Sequence, residues 1–261
     1  MSAVERTLVA GGIALTDEGE GRTLLMLHGI GGNARSCGPV GRLLTQDGVR
    51  VLAWDAPGYG ESADPAGPVD HVASVIQVLD ELELDEVDLF GTSWGGVIAT
   101  VVAARWPARV RTLVLADSTR GSGTRPDGAA AMRARVEALA EEGPERFASL
   151  RAPRLVAATC TPDVAEAVRA EMARVRLPGY RAAAEFMAGS DTSSLLPGIT
   201  TPTLVIVGEH DEVVGVAESE LLARTIPGAR LHIVRGAGHA ALSERPTDVA
   251  TAVLDFWRAA T

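Results

Sequence analysis

Short apolar runs alternate with longer stretches of helical periodicity along most of the chain. The runs have the length and the residue types of buried strands, and the stretches between them space apolar residues three and four apart. This alternation predicts an α/β fold with a mostly parallel sheet that is covered by helices on both faces. The stronger strand candidates are Thr23 to Leu27, Val49 to Trp54, Val87 to Phe90, Val110 to Leu115, Thr203 to Val207 and Ala229 to Val234.

Two weaker runs precede these strands, at Thr7 to Val9 and at Ile13 to Leu15, and Gly11-Gly12 joins them. They predict an N-terminal hairpin, which brings the expected sheet to eight strands. The helix candidates between strands are Val40 to Gln46, Val69 to Leu82, Gly96 to Arg105, Val216 to Thr225 and Thr247 to Arg258.

The alternation stops between residues 120 and 197, where Ala, Arg and Glu dominate and Pro and Gly interrupt them. This stretch reads as short amphipathic helices. We therefore expect a core of residues 1–119 and 198–261, with a helical insertion of residues 120–197 after the sixth strand. The predicted helices of the insertion are Ala129 to Glu142, Pro144 to Leu150, Pro162 to Arg176 and Tyr180 to Ala188.

Composition and charge exclude several classes of function. The 261 residues carry a formal net charge of −10 and no basic cluster long enough to follow a phosphate backbone, which argues against nucleic-acid binding. The segment Met1 to Arg6 lacks the features of a signal peptide, and no apolar run is long enough to span a bilayer. We expect a cytoplasmic protein that does not bind membranes.

The cysteines and histidines do not have metal-ligand spacing. Cys37 and Cys160 are too few and too far apart in sequence for a disulfide framework or a metal site. The same holds for the five histidines, so we expect no metal; they are His28, His71, His210, His232 and His239.

A serine occupies a glycine-rich turn after one of the buried strands. Gly91-Thr92-Ser93-Trp94-Gly95 follows the run Val87 to Phe90 and precedes a helix of small residues. Strand, tight turn and helix are the context that a nucleophile elbow requires. Ser93 is therefore the candidate nucleophile.

An acid and a histidine follow the next buried strands downstream. Asp211 comes just after the run Thr203 to Val207, and His239 lies in a glycine-rich loop after Ala229 to Val234. The carboxyl ends of parallel strands open on one edge of a sheet, so Ser93, Asp211 and His239 are expected to converge there. His239 would then take the serine proton and Asp211 would orient the histidine.

Two further features belong to this constellation. Leu27-His28-Gly29-Ile30-Gly31 leads from a strand into a glycine-rich turn, whose Ile30 N–H is expected to form an oxyanion hole with the Trp94 N–H. Gly29 and Gly31 flank Ile30 and are candidate substrate contacts. Asp117 also follows a buried run and is the alternative acid; His28 is expected to have a structural role.

Five landmarks in this order resemble those of the α/β-hydrolase superfamily over nearly the whole chain. The landmarks are His28-Gly29-Ile30-Gly31-Gly32, Asp55 to Ser62, Gly91 to Gly95, Gly208 to Asp211 and Gly236 to His239. The resemblance implies that residues 120–197 form a cap over the active site. Within the superfamily the chain is similar to small capped hydrolases, including 3-oxoadipate enol-lactonases, carboxylesterases and C–C hydrolases of meta-cleavage products.

The leading hypothesis is a cofactor-independent serine hydrolase of a small carboxylic ester or lactone. Arg120 lies where the sheet leads into the insertion, and enol-lactonases carry a similar basic residue near the corresponding point. Arg120 is therefore a candidate for binding a substrate carboxylate. Two alternatives stay open: a C–C hydrolase or non-hydrolytic biosynthetic catalyst on the same fold, and a ligand-binding receptor on a hydrolase scaffold.

Overall fold

The computed structural model describes residues 5–260. Met1 to Val4 and Thr261 lie outside the described residues. Most of the segment Met1 to Arg6, which is expected not to be a signal peptide, therefore also lies outside them. The described strands form one eight-stranded sheet. They are β1 (Glu5–Val9), β2 (Ile13–Glu18), β3 (Arg22–Leu27), β4 (Val49–Asp55), β5 (Val87–Thr92), β6 (Val110–Ala116), β7 (Thr203–Gly208) and β8 (Arg230–Val234).

The spatial order of the strands is β1-β2-β4-β3-β5-β6-β7-β8. β1 and β2 form an antiparallel hairpin and β2 pairs antiparallel with β4, whereas β4, β3, β5, β6, β7 and β8 run parallel. The predicted α/β class with a mostly parallel sheet is thus confirmed. β3, β5, β6 and β7 lie inside the sheet, and the loops that follow them open on one edge.

Nine helices flank the sheet or lie in the insertion among the residues described. One face of the sheet packs against α1 and α9, and the other packs against α2, α3 and α7. The helices are α1 (Ala34–Thr45), α2 (His71–Glu81), α3 (Trp94–Arg105), α4 (Gly128–Arg151), α5 (Pro162–Met172), α6 (Leu177–Gly189), α7 (Val216–Thr225), α8 (Ala241–Glu244) and α9 (Pro246–Ala260).

α1 begins at Ala34, earlier than the predicted start at Val40. Asn33 caps the helix: its side chain accepts a hydrogen bond from the Arg35 N–H, and the Ser36 side chain accepts one from the Asn33 N–H. The cap and the buried side of the helix outweigh the weak helix propensity of the intervening glycine and proline.

Helices α4, α5 and α6 lie between β6 and β7, where the insertion was predicted. α4 bends at Gly143, which has φ 74° and ψ 165° and precedes Pro144. The predicted gap between two helices corresponds to this bend, because glycine adopts the positive φ without strain and proline cannot donate to the preceding turn.

The insertion is fastened to the core at two places near the start of α6. A Cβ on Gly179 would lie 2.4 Å from the Gly58 carbonyl oxygen, so the two backbones meet where neither residue has a side chain. Arg176 donates hydrogen bonds to Asp64 and to the Gly60 carbonyl. These contacts hold α6 over the edge of the sheet that carries the glycine-rich turns.

None of the helices within residues 5–260 combines the length and the apolar character that a membrane-spanning helix needs.

Candidate active site

Ser93 lies in a strained turn between β5 and α3. Its φ of 52° and ψ of −114° are unfavourable for a residue with a side chain and cost on the order of 1–3 kcal/mol. Two hydrogen bonds hold this conformation: the Ser93 N–H donates to the Ala116 carbonyl at 2.8 Å, and the Ser118 hydroxyl donates to the Ser93 carbonyl at 2.9 Å. The strained backbone lifts the serine hydroxyl out of the sheet edge.

The glycines on both sides of Ser93 are required by close backbone contacts. A Cβ on Gly91 would lie 2.4 Å from the Gly95 carbonyl oxygen, and a Cβ on Gly95 would lie 2.3 Å from the Leu27 carbonyl oxygen. No side chain fits at such distances. The glycines therefore allow α3 to begin directly against β3 and β5, which places the serine beside the turn after β3.

Ser93, His239 and Asp211 form a continuous hydrogen-bonded chain. The Ser93 Oγ lies 3.1 Å from His239 Nε2, and His239 Nδ1 lies 2.8 Å from Asp211 Oδ2. The other carboxylate oxygen of Asp211 accepts hydrogen bonds from the N–H groups of Val213 and Val214. The loops after β5, β7 and β8 thus bring together three side chains that are far apart in sequence.

The pKa values of the two charged partners move in opposite directions. Burial is the largest single influence on the pKa of Asp211 and acts to raise it, but the hydrogen bond and charge of His239, together with the N–H groups of Val214 and Val213, outweigh burial and keep that pKa below its ordinary value. Burial acts to lower the pKa of His239, and the hydrogen bond and charge of Asp211 raise it above its ordinary value. The arrangement stabilises an imidazolium at His239 next to a carboxylate at Asp211.

Asp117, the alternative acid, follows β6 and is completely buried. Its Oδ1 accepts a hydrogen bond from the Gly208 N–H at 2.9 Å, and its Oδ2 has no partner in the part of the chain that the structure describes. Burial raises the pKa of Asp117 to about 8, and the nearby Asp211 charge adds to that rise. The carboxylate that lies within hydrogen-bond distance of His239 Nδ1 is that of Asp211, not that of Asp117.

The two predicted oxyanion donors lie on either side of the serine. Trp94 is the first residue of α3, where backbone N–H groups have no partner within the helix. Ile30 lies in the turn after β3, and its N–H donates no hydrogen bond within the described residues. The Tyr59 hydroxyl donates to the Ile30 carbonyl at 3.0 Å and fixes that turn.

His28 and the Trp94 indole are structural in this arrangement. His28 Nε2 accepts a hydrogen bond from the Ala56 N–H at 3.1 Å, so the ring is neutral and donates from Nδ1 to the Gly29 carbonyl at 2.8 Å. Burial lowers the pKa of His28 accordingly. The completely buried Trp94 ring packs between His28 and His71, away from the serine hydroxyl.

A cavity of about 270 Å³ lies between the sheet edge and the insertion. Ser93, His239 and Ile30 line one wall, together with the predicted substrate contacts Gly29 and Gly31. The opposite wall comes from the insertion, and its side chains include Arg135, Arg151, Leu155, Val168, Met172 and Tyr180. Sequence patterns named the five residues given for the first wall but none of these six.

Arg120 does not line this cavity. Its guanidinium forms two hydrogen bonds with Glu218 of α7, at 2.9 and 3.0 Å, and a third with the Ser193 hydroxyl at 3.2 Å. The expectation that Arg120 binds a substrate carboxylate is therefore corrected: a carboxylate of the protein already occupies the guanidinium. Arg120 fastens the start of the insertion to the core.

Fold and site together define the class of the protein. Residues 22–246 match the model of the alpha/beta hydrolase fold family, and the chain belongs to that family. The resemblance predicted from the five landmarks is confirmed, and the chain is a hydrolase.

Known proteins that this chain is similar to include enzymes of three kinds. The chain is 29% identical to 3-oxoadipate enol-lactonase 2 of Acinetobacter baylyi, with 77% of this chain and 76% of that protein covered. It is 32% identical to 2-hydroxymuconate semialdehyde hydrolase of Pseudomonas putida, with coverage of 90% and 88%. A thermophilic esterase from Thermogutta terrifontis has a similar structure, with a TM-score of 0.89, 28% identity and 99% of both chains covered.

Proposed function

We propose that this protein is a serine hydrolase that cleaves a small carboxylic ester or lactone. The observation that carries the proposal is the hydrogen-bonded chain from Asp211 through His239 to Ser93, which ends in a cavity beside the Ile30 turn. A serine hydroxyl becomes a nucleophile when an adjacent base accepts its proton. In support of His239 as that base, its Nε2 lies 3.1 Å from the Ser93 Oγ.

The first half of the reaction forms an acyl-enzyme. Ser93 Oγ attacks the carbonyl carbon while its proton passes to His239 Nε2, and the carbonyl electron pair moves to the oxygen. The N–H groups of Ile30 and Trp94 hold that oxyanion; loss of one such donor costs about 2.7–4 kcal/mol in the transition state. The tetrahedral intermediate then expels the alcohol oxygen, which takes the proton from His239.

The second half releases the acid and restores the enzyme. His239 removes a proton from water, and the resulting hydroxide oxygen attacks the acyl carbon. Collapse of this intermediate breaks the bond to Ser93 Oγ, which regains its proton from His239. Asp211 stays ionised throughout and stabilises the imidazolium in both halves. No cofactor is needed for either half.

We further propose that residues 120–197 act as a cap that shields this reaction. In support, Met172 and Tyr180 reach the cavity from α5 and α6, and a Cβ on Gly31 would lie 2.6 Å from Met172 Cε. The cap residues therefore lie directly against the predicted oxyanion turn. A cap of this kind excludes bulk water and strengthens the electrostatic contacts of the reacting groups.

Replacing Ser93 tests the proposal most directly. Ser93→Ala is expected to abolish ester hydrolysis and labelling by a fluorophosphonate, measured with 4-nitrophenyl esters of increasing chain length and with small lactones. Ser149→Ala changes an exposed serine on α4 and serves as the matched control. Undiminished hydrolysis by Ser93→Ala would exclude Ser93 as the nucleophile.

A second candidate function is hydrolysis of a C–C bond next to a ketone. The 32% identity to 2-hydroxymuconate semialdehyde hydrolase over most of both chains favours it. Assay of the same preparation with a vinylogous diketone distinguishes the two. Turnover of the diketone without turnover of any ester or lactone would replace the first proposal by this one.

A further inference from the structure

Two arginines of the insertion face the same cavity as the serine. Arg135 lies in the first half of α4 and Arg151 is its last residue. In a straight helix, at 1.5 Å per residue, they would be about 24 Å apart. The bend at Gly143 turns the second half back, so both guanidinium groups reach one cavity.

Neither arginine has a carboxylate partner among the described residues. Elsewhere in that part of the chain, partly buried arginines are paired: Arg22 with Asp88 and Arg120 with Glu218. Arg135 and Arg151 are also partly buried, yet neither forms an ion pair with a described residue; the Arg151 guanidinium lies 5.6 Å from the centre of the Phe147 ring. A partly buried cation without an anion is costly, so this pair is unusual in the molecule.

Tyr180 lines the same cavity as the two arginines. Burial raises the pKa of Tyr180, and the charges of Arg151 and Arg135 oppose that rise. Burial and the charge of Arg135 both lower the pKa of Arg151. The two cations repel each other, whereas the Tyr180 hydroxyl oxygen attracts both of them.

The cavity as a whole is basic although the protein is acidic. The described residues that line it include four arginines, with Arg35 and Arg42 at its exposed side, and one carboxylate, Glu171. Asn33 donates a hydrogen bond to Glu171 at 2.8 Å and Arg174 lies 3.6 Å from it, so Glu171 does not neutralise the pair. The lining of the cavity thus has the opposite sign of charge to the chain as a whole, whose formal net charge is −10.

We propose that Arg135 and Arg151 form a carboxylate-binding subsite and that the substrate is an ester or lactone that also carries a free carboxylate. This inference rests on the proposed function, because it assigns a substrate class to the same cavity. Guanidinium groups match the two oxygens of a carboxylate, and the Tyr180 hydroxyl supplies a further donor. The apolar neighbours Leu155, Val168 and Met172 suit the carbon skeleton between the carboxylate and the reacting carbonyl.

Matched substrate pairs test the subsite. One pair is mono(4-nitrophenyl) glutarate and 4-nitrophenyl valerate, which differ by a carboxylate on the acyl chain. The other pair is 4-acetoxybenzoate and 4-acetoxybenzamide, which differ by a carboxylate on the leaving group. For the wild-type protein we expect kcat/KM to favour the carboxylate member of at least one pair by tenfold or more, since hydrogen bonds between charged groups contribute roughly ten- to hundredfold.

Arg135→Gln and Arg151→Gln should each lower that preference about tenfold, because glutamine keeps a donor but removes the charge. Arg133→Gln removes an exposed charge from the same helix and should leave the preference unchanged. Equal kcat/KM within both pairs, or equal losses for both members in the Arg135 and Arg151 variants, would overturn the subsite.

A binding measurement separates the subsite from the chemistry. Glutarate should bind to Ser93→Ala in a calorimetric titration, and Arg151→Gln in that background should weaken binding tenfold or more. If no ester is cleaved while glutarate still binds, the proposed function fails and the subsite stands. If neutral esters are cleaved while glutarate does not bind, or binds more weakly than phenyl phosphate, the carboxylate subsite fails and the hydrolase function stands.

Discussion

The two walls of the cavity are built in different ways. On the sheet side, the reacting groups lie on short loops after parallel strands, and hydrogen bonds fix their side chains: Asp211 accepts from two N–H groups, and His239 is bonded to Asp211. On the insertion side, Arg135 and Arg151 extend long side chains from a bent helix and have no carboxylate to hold them among the residues described.

This difference separates catalysis from recognition. A group that transfers protons needs its geometry fixed before the substrate arrives, because small displacements are costly in rate. A group that recognises a charge can adjust when the ligand binds, because long cationic side chains have many rotamers. Changes on the sheet side should therefore lower the rate for every substrate, whereas changes on the insertion side should alter the choice among substrates.

The largest effect on this comparison is expected from Asp211→Asn. The asparagine removes the charge that raises the pKa of His239 and disfavours the required tautomer, so kcat should fall by about 10⁴-fold for charged and neutral esters alike. The active form needs a neutral His239, whose pKa falls when the carboxylate is lost. The acidic limb of the kcat/KM profile should therefore move to lower pH.

Asp117→Asn is the matched control for this experiment, because Asp117 is a second buried aspartate whose charge would act on His239. With a pKa of about 8, Asp117 is already mainly protonated at neutral pH, so loss of its charge should have a much smaller effect. A larger loss of kcat in Asp117→Asn than in Asp211→Asn would reverse the two assignments.

An intermediate effect, on stability, is expected from Glu244→Gln, because the Glu244 side chain forms hydrogen bonds with both walls. The buried Glu244 carboxylate accepts one hydrogen bond from the Gly238 N–H, beside His239, and another from the Ala157 N–H of the insertion. Glutamine can accept only one of them, which should lower the free energy of unfolding by about 1–3 kcal/mol in urea titrations.

Glu209→Gln is the control, since the exposed Glu209 accepts a hydrogen bond from the Gly236 N–H. It should change stability by less than about 0.5 kcal/mol. Equal losses in both variants would mean that the tie through Glu244 does not join the two walls more strongly than an ordinary surface contact.

The smallest effect is expected from Arg135→Gln on the pH profile. The charge of Arg135 acts to lower the pKa of His239, against the larger effect of Asp211. Removing that charge should move the acidic limb of kcat/KM for a neutral ester to higher pH, by less than about one unit. Arg133→Gln should not move it. A shift to lower pH in Arg135→Gln would contradict the placement of this charge.

The sheet side could be predicted because its residues have fixed positions relative to strand ends. A parallel strand is a continuous apolar run, and the next residues lie at the carboxyl edge whatever else the chain does. Ser93 and Asp211 each follow such a run, whereas His239 follows the mostly exposed edge strand β8, in which polar and apolar residues alternate. The choice of Asp211 over Asp117 also followed from sequence, since Asp211 precedes the strand that leads to His239.

The insertion side could not be predicted in the same way. Helical periodicity indicates which side chains share a face, but not which face meets a neighbour, and the arginine-rich insertion offers several equivalent faces. The place of Arg120 near a strand end makes it a candidate substrate contact, yet Glu218 from α7 binds it. Arg135 and Arg151 are recognisable only once the bend at Gly143 brings them to one cavity.

The bend in α4 also has an evolutionary consequence. Its angle at Gly143 sets how far Arg151 lies from Arg135 and from the serine. A substitution or a single added residue at the bend would change the length of molecule that fits between the two cations and the nucleophile, while Ser93, His239 and Asp211 stay where they are. Descendants of this protein can therefore diverge in the size of their substrate while the reacting groups and their geometry stay the same.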